Sequence, residues 1–348
     1  PDLADTWKPE SGVIVDERAE RDYVETGDGV VDFASEVVGT VDDKGAYERA
    51  DLSPGNWTFE LAQQDDGEWR ITQAPDGVWL DEAQFPQVFH KYPLMYFDPS
   101  YRFLVPDVRW FPVTRAAGRI ADALVNKPTS EWLAESVETA FPDGVSLVAV
   151  VPTGEEGVSD VALKGDGMLV APTDARNRML TQLEESLRAA GVTDVVMTVE
   201  SAPIEAEPVT VRSTRVPAAP LVLNEAGFGF LTGDEIDKIP GLSAAVEAAS
   251  PLSVQVGAER DLAAARLPSG AVVRLNSAGT EPEVLDTRPG LIDPVIDPNG
   301  VVWSVPQDDP AALRAYLPNG DVVDVADAWG DATAIAGMAL SRDGTRLA

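Results

Sequence analysis

The chain contains no cysteine and a single histidine, His90, among its 348 residues. The lack of cysteine excludes disulfides, thiolate zinc sites and cysteine nucleophiles. One histidine excludes a histidine-rich metal site. No apolar run approaches the ~20 residues that a membrane-spanning helix requires. With 44% hydrophobic residues, the composition instead predicts a folded chain of two or three domains.

Basic residues are also scarce: 26 Lys and Arg face 59 Asp and Glu, giving a net charge of −33. Such a surface repels phosphate backbones and anionic lipid headgroups. We therefore expect no nucleic-acid partner and no membrane binding through a basic patch. The acidity itself is typical of a solvated, highly charged surface.

A short phrase occurs twice in the last third of the chain, at 267–273 and 317–323, with five of seven positions identical and its turn glycines at Gly270 and Gly320. A Pro-x-Gly turn that feeds a β-branched run is typical of a hairpin, so we predict a repeated β unit of a β-propeller. Closure needs at least four blades of about 40 residues, or ~160 residues in all. Because the zone 220–348 is shorter than this, we expect only the first part of a propeller, truncated.

The chain divides into three zones and a linker. The zone 1–92 is rich in predicted strands, at 12–15, 29–35, 36–41, 57–61, 69–72 and 78–80. The zone 93–207 mixes predicted helices, starting at Thr114 and Ser130 and covering 174–190, with predicted strands at 146–151, 158–163, 168–170 and 195–199. Residues 208–219, which are rich in proline, form a predicted linker into the zone 220–348.

The middle zone resembles a known family. The resemblance rests on the strings Tyr96-Phe97-Asp98-Pro99, Leu104-Val105-Pro106-Asp107-Val108-Arg109, Ala123-Leu124-Val125-Asn126-Lys127-Pro128 and Thr139-Ala140-Phe141-Pro142-Asp143-Gly144. These are similar to actinobacterial LpqB lipoproteins. The resemblance implies a multidomain α+β and all-β chain: a partial, truncated NTF2-like α+β domain over 1–92, a GerMN α+β domain over 93–207 and an incomplete β-propeller over 220–348.

The resemblance also implies a function. It points to a non-enzymatic, extracytoplasmic accessory of the MtrAB two-component system that contacts the extracellular region of the sensor histidine kinase and serves cell-envelope homeostasis. It implies attachment to the cell membrane through a lipid anchor in a longer precursor, since the signal peptide and lipobox cysteine are absent from these residues. Two alternatives stay open: a glycan- or small-ligand-binding envelope protein, and a hydrolase on a propeller scaffold.

No catalytic motif accompanies these domains. The sequence lacks G-x-S-x-G, H-E-x-x-H, P-loop and G-x-G-x-x-G patterns, and Gly227-Phe228-Gly229 is typical of a backbone bend.

We expect His90 to be a surface or interdomain imidazole packed on aromatic residues. The acidic pairs Glu155-Glu156 and Asp308-Asp309 are predicted to be solvated, and Asp297-Pro298-Asn299-Gly300 to be an Asx turn rather than a calcium loop. We predict no catalytic, cofactor-binding or metal-binding residue.

Aromatic residues leave two choices open. Trp57, Trp69 and Trp79 either fill the core of the first domain, which we favour, or line a sugar-stacking pocket. Trp110-Phe111-Pro112 is a candidate partner contact if exposed, or else packs against the first domain.

Overall fold

The chain divides into two units in the computed structural model, which describes residues 3–126, 129–152, 156–216, 218–279 and 281–348. The first unit comprises Pro1–Pro99 and Leu104–Thr210, and the second comprises Ser100–Phe103 and Val211–Ala348. The predicted linker 208–219 contains the division at Thr210 and Val211. No helix in the described parts of the chain has the length and apolar character needed to cross a membrane.

A strongly alternating sequence builds the first sheet. Its strands are β1 Gly12–Asp16, β2 Asp22–Gly27, β3 Val30–Asp42, β4 Tyr47–Gln63, β5 Trp69–Gln73 and β6 Val78–Asp81, with short helices α1 Leu3–Thr6 and α2 Phe85–Val88. The order is β5-β4-β3-β1-β6, and β2 pairs with β3. The predicted strands 29–35 and 36–41 are one strand with a register shift between Val37 and Gly39, because a bulge bends the ladder without ending it. The sequence patterns did not predict β2 and α2.

The rest of the first unit is an α+β layer. Its elements are β7 Phe89–Phe97, β8 Leu104–Pro112, α3 Ala116–Asn126, β9 Ser146–Pro152, β10 Val158–Lys164, α4 Asp166–Val170, α5 Thr173–Leu187, β11 Asp194–Val199 and β12 Ala202–Pro203. The four last strands form one sheet in the order β12-β11-β10-β9. Strand β7 runs through Tyr92 and Pro93, where the sequence predicts a domain boundary; that boundary stays a prediction.

Two of the predicted helices are confirmed, and their apolar stripes are buried. Helix α3 buries Ile120 and Leu124, and α5 buries Leu183 and Leu187. A short 3-10 turn, Arg188–Ala190, follows α5, and Gly191 ends it with φ +85°. This is the left-handed stop that glycine adopts without steric cost.

Two other predictions are wrong. Residues 131–136 form turns and not a helix, because the amide and Oγ of Ser130 donate to the carboxylate of Asp107 instead of capping. Leu133 is buried there all the same. The predicted strand 168–170 belongs to helix α4, and Met168 packs in the core.

The second unit consists mainly of small antiparallel sheets. Strands β13 Leu221–Asn224, β14 Gly227–Thr232 and β15 Glu235–Asp237 form a three-stranded sheet, followed by helix α6 Leu242–Ala249. Two four-stranded sheets follow: β16 Ser253–Val256, β17 Leu262–Arg266, β18 Val272–Asn276 and β19 Glu283–Asp286, then β20 Val295–Ile296, β21 Val302–Ser304, β22 Arg314–Tyr316 and β23 Val322–Asp324. Each pairs its strands in sequence order, as the blades of a β-propeller do. The fold is therefore multidomain, with an α+β layer and an incomplete β-propeller.

The repeated phrase forms hairpin turns at both places. Gly270 has φ +86° and Gly320 has φ +91°, so both positions favour glycine. However, Gly270 joins the second and third strands of its sheet, whereas Gly320 joins the third and fourth. The spacing of these two glycines is therefore not the blade period. The period is the shorter spacing between the first strands β16 and β20, which begin at Ser253 and Val295.

Candidate interaction surface

The sequence candidates for catalysis are not brought together. His90 lies exposed on β7, opposite Phe111. Asp308 and Asp309 are exposed in a turn, as is Glu156 in its loop, and Glu155 lies outside the described residues. No group of three His, Asp or Glu side chains that could hold a metal occurs in the described parts of the chain. These residues assemble no catalytic set.

The two glycine-containing candidates are structural. Gly227, with φ +130°, begins strand β14, as expected for a backbone bend. The Oδ1 atom of Asp297 accepts the amides of Asn299 and Val301 at 2.8 and 2.9 Å. This arrangement is the predicted Asx turn.

Two of the three tryptophans of the first sheet belong to an aromatic cluster. Phe33 is buried, and Trp57, Phe59 and Trp79 surround it with ring centroids 5.5, 6.4 and 6.5 Å away. Trp57 and Trp79 are only half-buried. Trp69 stands apart, with 55% of its surface exposed. The cluster therefore lies on a sheet face, partly as core and partly open.

Trp110 packs inward and is not the exposed contact that its sequence allowed. Its ring lies 4.9 Å from Phe85 and 5.6 Å from Tyr47, and the Lys91 ammonium lies 5.2 Å from its centroid. Its amide donates to the carbonyl of Gly45 at 2.8 Å. The alternative, packing against the first domain, is the one that the structure bears out.

A buried ion pair lies on the same strand as Trp110. Asp107 accepts Arg109 Nη2 at 2.8 Å and the Ser130 hydroxyl at 2.8 Å. Arg109 Nη1 also donates to the carbonyl of Lys44 at 3.4 Å. Sequence reasoning missed this network, although Asp-Val-Arg within an apolar strand places both charges on one face. The pair fixes β8 against the first sheet and the turn at Ser130.

The sheet β12-β11-β10-β9 is partly exposed on the side that faces away from the helices. Strand register places Val151, Asp160 and Val196 in one row across the sheet, and Ala149, Ala162 and Thr198 in another. We call these six residues the outer sheet face. The intervening residues Val161 and Met197 are buried on the helix side.

The outer sheet face is apolar at its margins. Val151 is 52% exposed and Val196 is 37% exposed. Between them the half-buried Asp160 accepts the hydroxyl of Thr198 at 2.7 Å, and Thr198 itself is buried. Neighbouring Val148, the extra residue of a bulge in β9, is also exposed. Exposed β-branched residues on a sheet face offer an apolar surface suited to a protein partner.

Paired valines in the sequence indicate this surface. The pairs Val150-Val151 and Val195-Val196 each occur within a strand, where neighbouring side chains point to opposite faces. If helices cover only one face, one valine of each pair must be exposed. The sequence-based prediction did not use this signal.

Three family models match the chain in order. "Lipoprotein LpqB, N-terminal domain" matches residues 1–86, "Sporulation and spore germination" matches 93–205, and "Lipoprotein LpqB beta-propeller domain" matches 227–348. The chain belongs to the LpqB lipoprotein family. The resemblance drawn from the middle zone is thereby confirmed.

Curated members of the LpqB family are moderately similar to the chain. Lipoprotein LpqB of Cutibacterium acnes is 29% identical over 179 residues, which is 50% of this chain and 29% of that protein. Lipoprotein LpqB of Thermobifida fusca is 32% identical over 174 residues, 45% of this chain and 27% of that protein. The Mycobacterium tuberculosis protein is 28% identical over 187 residues, 50% of this chain and 32% of that protein. The matched part thus spans less than a third of each of these relatives.

Proposed function

We propose that this chain is a non-enzymatic, extracytoplasmic LpqB protein that contacts the extracellular region of the sensor kinase of the MtrAB two-component system. In that role it serves cell-envelope homeostasis, and a lipid anchor on the longer protein holds it at the cell membrane. The observation that carries the proposal is the outer sheet face. It is apolar at its margins and is not covered by the helices of its own layer.

The chemistry of this face favours a protein partner. Val151 and Val196 offer apolar area at the two sides of the row, and the half-buried Asp160, bonded to Thr198, adds a polar centre. Each valine that a partner covers would contribute about 1 kcal/mol at ~25 cal/mol per Å². Protein interfaces combine such an apolar area with a few polar groups.

The absence of an assembled catalytic set among the described residues favours a binding role over the hydrolase alternative. Acid–base catalysis needs a proton donor or acceptor within hydrogen-bond reach of a reacting group, commonly beside a second carboxylate or a nucleophile. His90 lies on an exposed strand, and Asp308 and Asp309 lie side by side in a turn. Family membership agrees with this role, because the relatives are named as lipoproteins and not as enzymes.

The test is a calorimetric titration of the purified extracellular region of the sensor kinase into the chain. The perturbing variant is the double substitution V151K/V196K, which places two charges on the outer sheet face. The matched control is V170K, since Val170 is 81% exposed in the same layer but lies at the end of α4. Thermal unfolding checks that all variants fold.

We expect saturable heat with the unchanged chain and with V170K, and an affinity at least about tenfold lower with V151K/V196K, equal to ~1.4 kcal/mol. No saturable heat with the unchanged chain would refute the kinase contact. Equal affinities for all variants would place the contact elsewhere and refute the assignment of this face.

A second function, binding of a glycan or small ligand, is favoured by the aromatic cluster. The half-buried rings of Trp57 and Trp79 lie 5.4 Å apart at an angle of 75°. Open aromatic rings on a curved sheet are typical of sugar-stacking sites. Glycan-array binding that is lost in the Trp57→Ala variant would support this function, and its persistence in that variant would exclude the cluster.

A further inference from the structure

The second unit has an open cavity of 670 Å³ at the inner side of its two four-stranded sheets. The first strands of those sheets, β16 and β20, are neighbours there, and Gln255 Oε1 on β16 accepts the amide of Ile296 on β20 at 3.1 Å. Phe103, bridged to Arg212, lies against the same cavity. Propeller blades surround a central channel with their first strands. The cavity therefore takes the position of that channel.

Three arginines line this cavity: Arg212, Arg260 and Arg342. Arg212 forms an ion pair with Glu259. Within the described residues, Arg260 and Arg342 form no ion pair with a carboxylate. Four other arginines in or next to the strands of the two four-stranded sheets are paired, as Arg266–Asp293, Arg274–Glu283, Arg288–Asp286 and Arg314–Asp324. In a chain of net charge −33, two arginines at one cavity that form no ion pair among the described residues are a local exception.

The structure holds Arg260 in a defined position. Its backbone has φ +62°, a left-handed conformation that is costly for a residue with a Cβ atom. Its guanidinium carbon lies 4.5 Å from the centroid of the Phe230 ring. Stacking of this kind leaves the N–H groups at the edge of the guanidinium plane free to donate. Such a pre-positioned fork suits a carboxylate or a phosphate.

Arg342 approaches the cavity from a separate hairpin. Its Nη1 donates to the carbonyl of Arg215 at 3.3 Å, which uses one of five donors. The carboxylate of Asp297, also on the cavity wall, accepts two amides of its own turn. With Glu259 paired to Arg212, the lining holds three arginines against two carboxylates, so its net charge is +1.

Part of the remaining wall is apolar. Phe103, Phe230, Val254 and Ile296 contribute to it. A ligand that uses both parts of the wall carries an anionic group at one end and an apolar group at the other. We propose that this cavity binds a small organic anion, a carboxylate or phosphate ester, with Arg260 and Arg342 on the anionic group. The proposal is independent of the kinase contact.

The test uses the whole chain and three probes: phenyl phosphate, benzoate and the neutral benzyl alcohol. Binding is followed by calorimetry and by changes in the amide spectrum of the β16–β17 hairpin. The perturbing variant is R260Q/R342Q. The control is R314Q, an arginine of the same unit that pairs with the exposed Asp324 and does not line the cavity. Arg260→Lys is a second variant, which keeps the charge but loses the planar fork.

We expect saturable binding of at least one anion, at least about tenfold weaker in R260Q/R342Q, unchanged in R314Q and weakened in Arg260→Lys. We expect benzyl alcohol to bind more weakly than the anions. The proposal fails if no anion binds, if benzyl alcohol binds as tightly as they do, or if R260Q/R342Q binds as the unchanged chain does. If the double variant does not fold, unchanged binding in Arg260→Gln and Arg342→Gln tested singly overturns it.

Discussion

Asp286 connects two consecutive sheets of the second unit, and its replacement by Asn should destabilise that unit in a pH-dependent manner. The buried carboxylate accepts Arg288 Nη2 at 2.6 Å and the Ser304 hydroxyl at 2.8 Å. Arg288 Nη1 in turn donates to the carbonyl of Ala312 at 2.6 Å. Asp286 ends strand β19 of one sheet, whereas Ser304 ends strand β21 of the next. Loss of the carboxylate therefore weakens the contact between the sheets.

The size of the effect follows from the pKa of Asp286. Burial acts to raise this pKa, but the hydrogen bonds from Arg288 and Ser304 and the charge of Arg288 outweigh it and lower the pKa from 3.8 to about 2. This difference in pKa corresponds to ~2.4 kcal/mol. Because the folded pKa is the lower one, this stability is present above pH ~4 and is lost as the pH falls through about 2.

The assay is hydrogen exchange with mass spectrometry along a urea gradient, read on peptides that cover β19 to β22, because a multidomain chain has no single unfolding transition. Near pH 6 we expect D286N to lower the local free energy of unfolding by about 3 kcal/mol, since it leaves Arg288 without its partner. Near pH 2 the difference from the unchanged chain should fall by about 2 kcal/mol.

The control for this prediction is D324N. Asp324 pairs with Arg314, but its side chain is largely exposed. Its loss should change the stability by less than about 1 kcal/mol at either pH. The reasoning is refuted if D286N costs the same at both pH values, or if it costs no more than D324N.

Three further changes test the fold. Trp110→Ala should lower the stability of the first unit by about 3 kcal/mol, because its ring packs on Phe85 and Tyr47, and exchange should rise in α2. Asp107→Asn should cost about 3 kcal/mol in urea unfolding, since it leaves Arg109 buried without its anion; no loss would show the pair to be dispensable. Gly320→Ala should cost about 1 kcal/mol in thermal unfolding because of φ +91°, whereas Gly118→Ala in α3, with open space around it, should be neutral or stabilising.

Local pattern predicted most of the strands of the first unit and its helices α3 and α5. Alternation identifies β1, β5 and β6 almost to their ends, and the stripe of Leu180, Leu183 and Leu187 with Gly191 defines α5. In these segments the residues that set the structure lie within a few positions of one another. Propensity and tertiary packing agree there.

The predictions fail where a residue distant in the sequence determines the local structure. Ser130 has the local signal of a helix cap, but Asp107 accepts both of its donors, so turns form instead. The sequence around Trp110 allows an exposed partner contact. In the fold, Tyr47 and Phe85 from distant parts of the chain pack against its ring. Such long-range partners cannot be inferred from one sequence.

The candidate surfaces show the same limit. The paired valines at Val150-Val151 and Val195-Val196 carry a signal in the sequence, but only the strand register shows that Val151 and Val196 share a row. The cavity arginines carry no signal, since Arg260 and Arg342 are distant in the sequence and line the same cavity only through the arrangement of the sheets.

The most direct test of the kinase contact is a hydrogen-exchange footprint of the chain with and without the purified extracellular region of the sensor kinase. Our account predicts slower exchange in the complex for β9 and β11, which carry Val151 and Val196. It predicts no change in the hairpin of Gly320. No protection anywhere, or protection confined to segments outside the outer sheet face, would contradict it.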